Sequence, residues 1–429
     1  MKFITVVFMI LYLYALSFGV FFTEFFRIPA PILFGFPLVF VFKEVGSSFM
    51  YVKEILIFSL AFFFYYIVGV DDYKLFTVNI TSILICALYF SYFVGPNSER
   101  FRLSILIFFS LLAFSATVMV LNHFNESYIN SLRGLLAGQE VIQSPSGIAA
   151  YQFTFGYQLA ALTPFIFIYA YLFKKRWLIK ALALSICLIF IFLGMQRSVF
   201  VGFIGSVLIF LLIYYKYKAV YIIGIAVLAS ILLYTYVLKD SFDSKGRGAE
   251  NIMVKNEQDD GEYNRSILLK ENLRIYSEYP YGLIFYGKNW GDVIYRNQVF
   301  RSGITSHNAY VMFFTYLGPF LGFGLLIALY YKIIGAFKSI LNHAREKKYA
   351  LLICLILSFL AVTINSLSHN AWLLSADGPT VFLFFSILHY LKIQKNNKHL
   401  EETENVRNNH PEVHINWKMN GELEDRILI

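Results

Sequence analysis

Charge is scarce in this sequence. Asp, Glu, Lys and Arg make up 15% of its 429 residues, against 58% hydrophobic and 19% aromatic residues. A soluble chain of this length cannot bury so much apolar side chain, so a set of soluble domains is excluded and lipid must be the solvent. Cysteine is scarcer still. Cys86, Cys187 and Cys354 each lie inside an apolar run, with no CxxC and no disulfide framework. The motifs of nucleotide and metal chemistry are missing too: there is no Walker loop, no GxGxxG and no HExxH. His123, His369 and His389 have no ligand-like spacing. Neither a cofactor nor a metal is expected. No internal repeat is visible, and the one long polar loop is not central, which argues against a transporter made of two halves.

What the chain does have is long apolar runs. A span needs about 20 apolar residues, and by that rule about twelve spans are expected: 3–22, 28–42, 53–70, 75–95, 103–121, 150–173, 177–195, 198–215, 219–238, 308–334, 349–368 and 373–391. The second is short, and Pro29, Pro31 and Pro37 suggest that it is bent or re-entrant. The first run lacks a small-x-small cleavage site and reads as a retained span, not a signal peptide. The fold class expected is therefore an all-α polytopic membrane domain over 1–391, followed by a polar tail, 392–429, too poor in apolar residues to order itself.

The net charge of +9 does not point to nucleic acid, because the basic residues fall in clusters between spans. Lys43 and Lys53, Arg100 and Arg102, Lys174, Lys175, Arg176 and Lys180, Lys216 and Lys218, and the run from Lys332 to Lys348 alternate with short loops holding only Arg27, Lys74, Arg133 and Arg197. The positive-inside rule then puts both termini in the cytoplasm and the loops 122–149 and 239–307 outside it.

Ionisable residues on the outer side are few, so each is informative. Arg197 lies in the tight turn Gly194-Met-Gln-Arg-Ser198, where it either snorkels to headgroups or presents a fixed guanidinium to a phosphate or pyrophosphate. Within the long loop, Glu262–Tyr276 reads as a helix that ends at Pro280-Tyr-Gly282, with Arg265, Leu269, Leu273 and Tyr276 on one face. Arg265 is then either inward-facing or a solvated charge balanced by Glu262 or Glu271, whereas Arg274 reads as surface charge. His307 is expected in the first turn of the next helix, capped by Thr305 or Ser306. The helix dipole there favours a neutral imidazole fit to act as a base, although a lone His in such a place is more often structural. Arg133 is external and is either an anion ligand or a loop residue. Asp71-Asp72 and Asp259-Asp260 read as loop pairs.

Arg197 after a mid-chain span, a long loop with Arg265 and Pro280-Tyr-Gly282, and His307-Asn308-Ala-Tyr310 opening a helix through Leu317-Gly318-Pro-Phe-Leu-Gly322 together make a pattern. It resembles the O-antigen ligase/polymerase family (Wzy and WaaL types), over about 190–325 in motif and the whole chain in topology. The resemblance implies a GT-C-like membrane glycosyltransferase of the bacterial inner membrane, using no metal and no nucleotide sugar. Its donor would be an oligosaccharide on undecaprenyl pyrophosphate, and its acceptor a glycan or glycolipid. A chain-length regulator protein would be a further partner. Arg197 and Arg265 would offset charge on the pyrophosphate leaving group, and His307 would orient or deprotonate the acceptor hydroxyl. Asn308, Tyr310 and Arg133 would help to bind substrate. A polymerase of repeat units is the preferred reading, since such enzymes are numerous and divergent. A ligase moving the glycan to a lipid A core is the alternative. A lipid-linked sugar transporter is disfavoured because the spans hold almost no charge. A scaffold protein would leave the motif pattern accidental.

Overall fold

A computed structural model describes residues 3–19, 30–138, 140–149, 151–233, 265–294, 306–369 and 373–409. Arg27, Asp259-Asp260 and most of the long loop (239–264 and 295–305) therefore lie outside the described residues. Among the described residues every regular element is helical. Seven helices are long and apolar enough to cross a membrane: Val52–Val70, Tyr73–Val94, Ser98–Phe124, Gln152–Phe173, Arg197–Tyr215, Ala309–His343 and Lys347–Ser368. Phe3–Phe18, Ala30–Val41 and Trp177–Leu193 are apolar but shorter. Over the described residues the chain is all-helical, the architecture of a polytopic membrane protein. Its two compact units are Met1–Ile387, which holds the bundle, and Leu388–Ile429.

In chain order the elements are α1 (Phe3–Phe18), α2 (Ala30–Phe36), α3 (Val52–Phe62), α4 (Tyr73–Leu88), α5 (Ser98–Phe124), α6 (Glu126–Ala137), α7 (Gln152–Phe173), α8 (Trp177–Leu193), α9 (Arg197–Tyr215) and α10 (Lys218–Leu233). Then come α11 (Arg265–Glu278), the single turn α12 (Trp290–Ile294), α13 (Ala309–His343), α14 (Ala350–Asn365) and α15 (Gly378–Asn409). The helices α2, α3 and α4 each end in a wider π-helical stretch, Pro37–Val41, Phe63–Val70 and Tyr89–Val94. At Pro37 the cause is local, since proline brings no N–H to the α-helical ladder. α15 runs to Asn409, well into the segment whose composition suggested disorder. Lys, Gln and Glu are good helix formers, and no glycine or proline interrupts the run before Pro411.

The centre of the bundle is built from α7, α9 and α14, packed through small residues. Gly202 of α9 lies so close to α14 that a Cβ there would come 2.9 Å from the Ala361 carbonyl oxygen. One turn on, the Ser206 hydroxyl donates to the Leu357 carbonyl at 2.9 Å. This small-residue stripe lets the two backbones approach, as lipid-embedded helices require.

One end of the bundle is tied by the basic segments. Arg100 pairs with Glu44 at 3.0 Å and donates to the carbonyls of Phe42 and Phe93. Lys332 pairs with the buried Glu54, and Arg345 donates to the Tyr214 carbonyl. The candidate residues stand at the other end.

The expected span 308–334 is not one straight helix. Inside α13, Gly318 has φ 69° and ψ −178°, and Pro319 follows it. A proline bars the preceding residue from the helical region, and glycine accepts the left-handed alternative. The break divides α13 into a nine-residue arm, 309–317, and a long helix, 319–343. The arm folds back far enough for Tyr310 to reach Tyr330 and for Phe314 to lie against Gly322.

Candidate functional site

The break receives the loop. A Cβ at Gly318 would stand 1.8 Å from the Tyr281 carbonyl oxygen, and one at Gly282 would stand 2.2 Å from the Gly318 nitrogen. Both glycines have positive φ, 94° at Gly282 and 69° at Gly318. Pro280-Tyr-Gly282 and Leu317-Gly318-Pro319 therefore interlock backbone to backbone, which no side chain at either glycine would permit. Two motifs far apart in sequence are halves of one contact.

α11 docks on the arm just before this contact. Leu268, Asn272 and Ile275 form its buried face. The Asn272 amide accepts from the Thr315 hydroxyl at 2.7 Å and donates to the Met312 sulfur at 3.0 Å. The expected face was Arg265, Leu269, Leu273 and Tyr276, yet Leu273 is exposed. A buried asparagine sits where the apolar pattern offered a leucine, and its satisfied amide makes that burial tolerable. Arg265 opens α11 three residues before Leu268, and its side chain lies outside the described residues.

His307 and Asn308 sit where the arm begins. The cap is Asn308, not Thr305 or Ser306: its Oδ1 accepts from the N–H groups of Tyr310 and Val311 at 3.1 and 3.0 Å. His307 therefore precedes the cap instead of occupying the first turn, and it has φ 50°, a left-handed conformation uncommon for a residue with a Cβ. Its side chain is half-buried. The next N–H, that of Ala309, donates to the carbonyl of His369 at 3.0 Å. The first amides of the arm are thus all engaged within the protein.

His369 joins this corner to the Arg197 turn. Its Nε2 shares a 3.3 Å hydrogen bond with the Ser198 hydroxyl, and Phe153 and Tyr157 lie against its ring with centroids 6.3 and 6.0 Å away. It is only 3% exposed. One buried histidine so holds the residue after Arg197 with its ring and the residue after Asn308 with its backbone. Sequence reading passed over it for want of ligand-like spacing. The available signal was its place after a span, in Asn365-Ser-Leu-Ser-His369, one helical turn past a buried asparagine. The turn itself is constrained, since Met195 has φ 52°. Arg197 at the start of α9 is exposed. Left-handed non-glycine residues are costly and gather at functional sites, and two of them flank His369 here.

Arg133 has another role. It is 0% exposed, and all five of its N–H donors have acceptors in its own loop or next to it. Nε donates to Gly147 O at 2.9 Å. Nη1 donates to the side chains of Asn130 at 2.6 Å and Asn122 at 3.2 Å, and Nη2 to Gln143 O and Ala149 O. No donor is left for a ligand. Burial pushes the guanidinium pKa down to about 10, still well above neutral pH. The loop in turn supports the Arg197 turn. The Gln152 N–H donates to Gln143 Oε1, and Gln196 Nε2 donates to the Gln152 carbonyl.

The structure thus brings Arg197, His307 and Asn308 to one corner through His369, sets α11 over the adjoining arm, and places Arg133 behind as support. Tyr310 turns inward toward Tyr330. No protein-family model matches the chain, and no curated protein matches it in sequence.

Proposed function

We propose that the chain is a membrane glycosyltransferase that joins lipid-linked oligosaccharide repeats into a surface polysaccharide. The observation that carries this reading is the meeting of the Arg197 turn and the His307-Asn308 cap on His369, together with the interlock of Pro280-Tyr-Gly282 and Leu317-Gly318-Pro319. Four segments that define the resemblance to the O-antigen ligase/polymerase family, scattered over more than 120 residues of sequence, pair off at the two ends of the arm 309–317, the Arg197 turn with the His307-Asn308 cap and Pro280-Tyr-Gly282 with Leu317-Gly318-Pro319. An accidental pattern gives no reason for that.

In this reading the twelve spans leave both termini in the cytoplasm, and the corner faces the periplasmic or outer side. The basic segments tied together at the opposite end support that orientation. Arg197, with Arg265 from the docked helix, faces the pyrophosphate of an undecaprenyl-linked donor. A guanidinium offsets the charge that grows on the departing pyrophosphate. His307, held before the cap, takes the proton of the acceptor hydroxyl as that oxygen bonds to the sugar carbon and the pyrophosphate leaves. Asn308 serves by fixing the arm, and Arg133 by bracing the turn.

Complementing a deletion strain with His307→Ala, Arg197→Ala or Arg265→Ala, and resolving its surface polysaccharide on a gel, tests the proposal. A polymerase site predicts that the ladder collapses to single-repeat material still attached to its acceptor. Loss of all attached glycan would identify the ligase instead. Unchanged ladders at normal protein levels would refute both.

A further inference from the structure

The stretch from Tyr279 to Gly287 is unlike the polar loop that holds it. It reads Tyr-Pro-Tyr-Gly-Leu-Ile-Phe-Tyr-Gly, with no charged residue, between Glu278 and Lys288. A turn standing in water would hide its apolar side chains, yet Phe285 is 62% exposed, and Tyr281 and Tyr286 are exposed as well. The tyrosines form a patch. Tyr281 stacks on Tyr286 with ring centroids 6.5 Å apart, and Tyr279 meets Tyr286 edge-on at 5.2 Å. An exposed apolar patch of this kind marks a surface that something covers.

The patch continues a surface of the spanning helix. Beyond the break at Gly318, α13 exposes Phe320, Phe323, Ile327, Tyr331 and Ile334. Residues three or four apart share one face of an α-helix, and on a membrane span an exposed apolar face meets acyl chains. Tyr281 lies on the first ring of that stripe, within 13° of parallel to Phe320 and with centroids 6.4 Å apart.

Length sets the level. Lys338 is exposed toward the basic end of the same helix, whereas Lys332, nearer the middle, is paired with Glu54 and does not need headgroups. From Lys338 to Phe320 the helix rises roughly 27 Å, at about 1.5 Å per residue. The hydrocarbon core is about 30 Å thick. A lysine at one boundary therefore puts Phe320, and the tyrosines stacked on it, at the other. Tyrosine suits that level, because its ring is apolar and its hydroxyl can stay wet.

We infer that the turn 279–287 and Phe320 form a membrane anchor, which seats this part of the loop in the acyl–headgroup boundary at the end of the bundle opposite the basic segments. The partner is a lipid surface and not a protein, because the patch is joined ring on ring to the lipid-facing stripe. The interlock of Gly282 with Gly318 passes the anchorage to the arm 309–317. The His307-Asn308 cap at the far end of the arm is thereby referenced to the bilayer surface. The anchor is independent of which reaction the chain performs.

Site-directed spin labelling tests it. Cys86, Cys187 and Cys354 are buried, so a cysteine added at the surface takes a nitroxide selectively. Full-length chain carrying Phe285→Cys, Phe323→Cys or Arg274→Cys is labelled and reconstituted in phosphatidylcholine–phosphatidylglycerol vesicles. Relaxation of each label by oxygen, which concentrates among acyl chains, is compared with relaxation by a water-soluble nickel chelate. Position 323 reports the lipid-facing stripe, and position 274 reports the charged face of α11, where Glu271 and Glu278 pair with the arginine. The label at 285 is expected to match that at 323, with an oxygen-to-nickel ratio several-fold above that at 274. Tyr286→Cys gives the same reading should the Phe285 variant not fold. A ratio at 285 equal to that at 274 would overturn the anchor, since the turn would then stand in water. Weak relaxation by both reagents would also overturn it, by showing that protein covers the patch. A water-exposed label at 323 would remove the lipid-facing stripe and the anchor with it.

Discussion

Two arginines stand at the same end of this bundle in opposite surroundings. Arg133 is sealed inside the 122–149 loop with every donor satisfied by protein oxygens, whereas Arg197 stands exposed on a turn that other groups hold in place. The two regions are linked by hydrogen bonds running from Arg133 through Gln143 and Gln152 to Gln196. A guanidinium whose N–H groups are all used inside its own loop is a structural brace, and one exposed on a fixed turn is where the proposed function places its donor contact. Charge and topology alone made the two look alike, and burial separates them.

That contrast can be broken by substitution. The largest effect is expected from Arg133→Ala, which orphans several buried acceptors at about 1–3 kcal/mol each. Stability should fall by more than ~3 kcal/mol, read as a drop in unfolding temperature in detergent, and Arg133→Lys should recover only part of it because one ammonium cannot reach acceptors on all sides. Gly318→Ala comes next. Its positive φ alone costs about 1–3 kcal/mol for a residue with a Cβ, and the new methyl would also strike the Tyr281 carbonyl. Faster proteolysis after Pro280 would report the parted interlock. Asn308→Ala should cost about 1 kcal/mol through loss of the cap, while Asn308→Asp retains it. Arg197→Ala belongs at the other extreme, with stability within about 0.5 kcal/mol of wild type and polymer formation lost. A large destabilisation there would place Arg197 beside Arg133 as a brace and dissolve the contrast.

The membrane class and most helix positions were legible because length and hydropathy dictate them. Gly318-Pro319 was visible as letters, yet the apolar run on both sides hid the bend, and only the partner at Gly282 explains why the chain turns there. The face of α11 was misread by one position because a buried Asn272 counts as polar until Thr315 and Met312 are seen to satisfy it. His369 and the bracing role of Arg133 depend on contacts between distant segments, which no local pattern encodes. The segments of Arg197 and His307 were both marked as candidates from sequence, although the reason given for His307 placed it inside a helix that begins after it.

The most direct measurement gives the purified chain, in lipid vesicles without nucleotide, undecaprenyl-pyrophosphate-linked repeats as its sole sugar source. The account predicts longer lipid-linked glycans with release of undecaprenyl pyrophosphate, and neither product from a stably folded His307→Ala chain. Equal product from that variant, or none from the wild type, would contradict it.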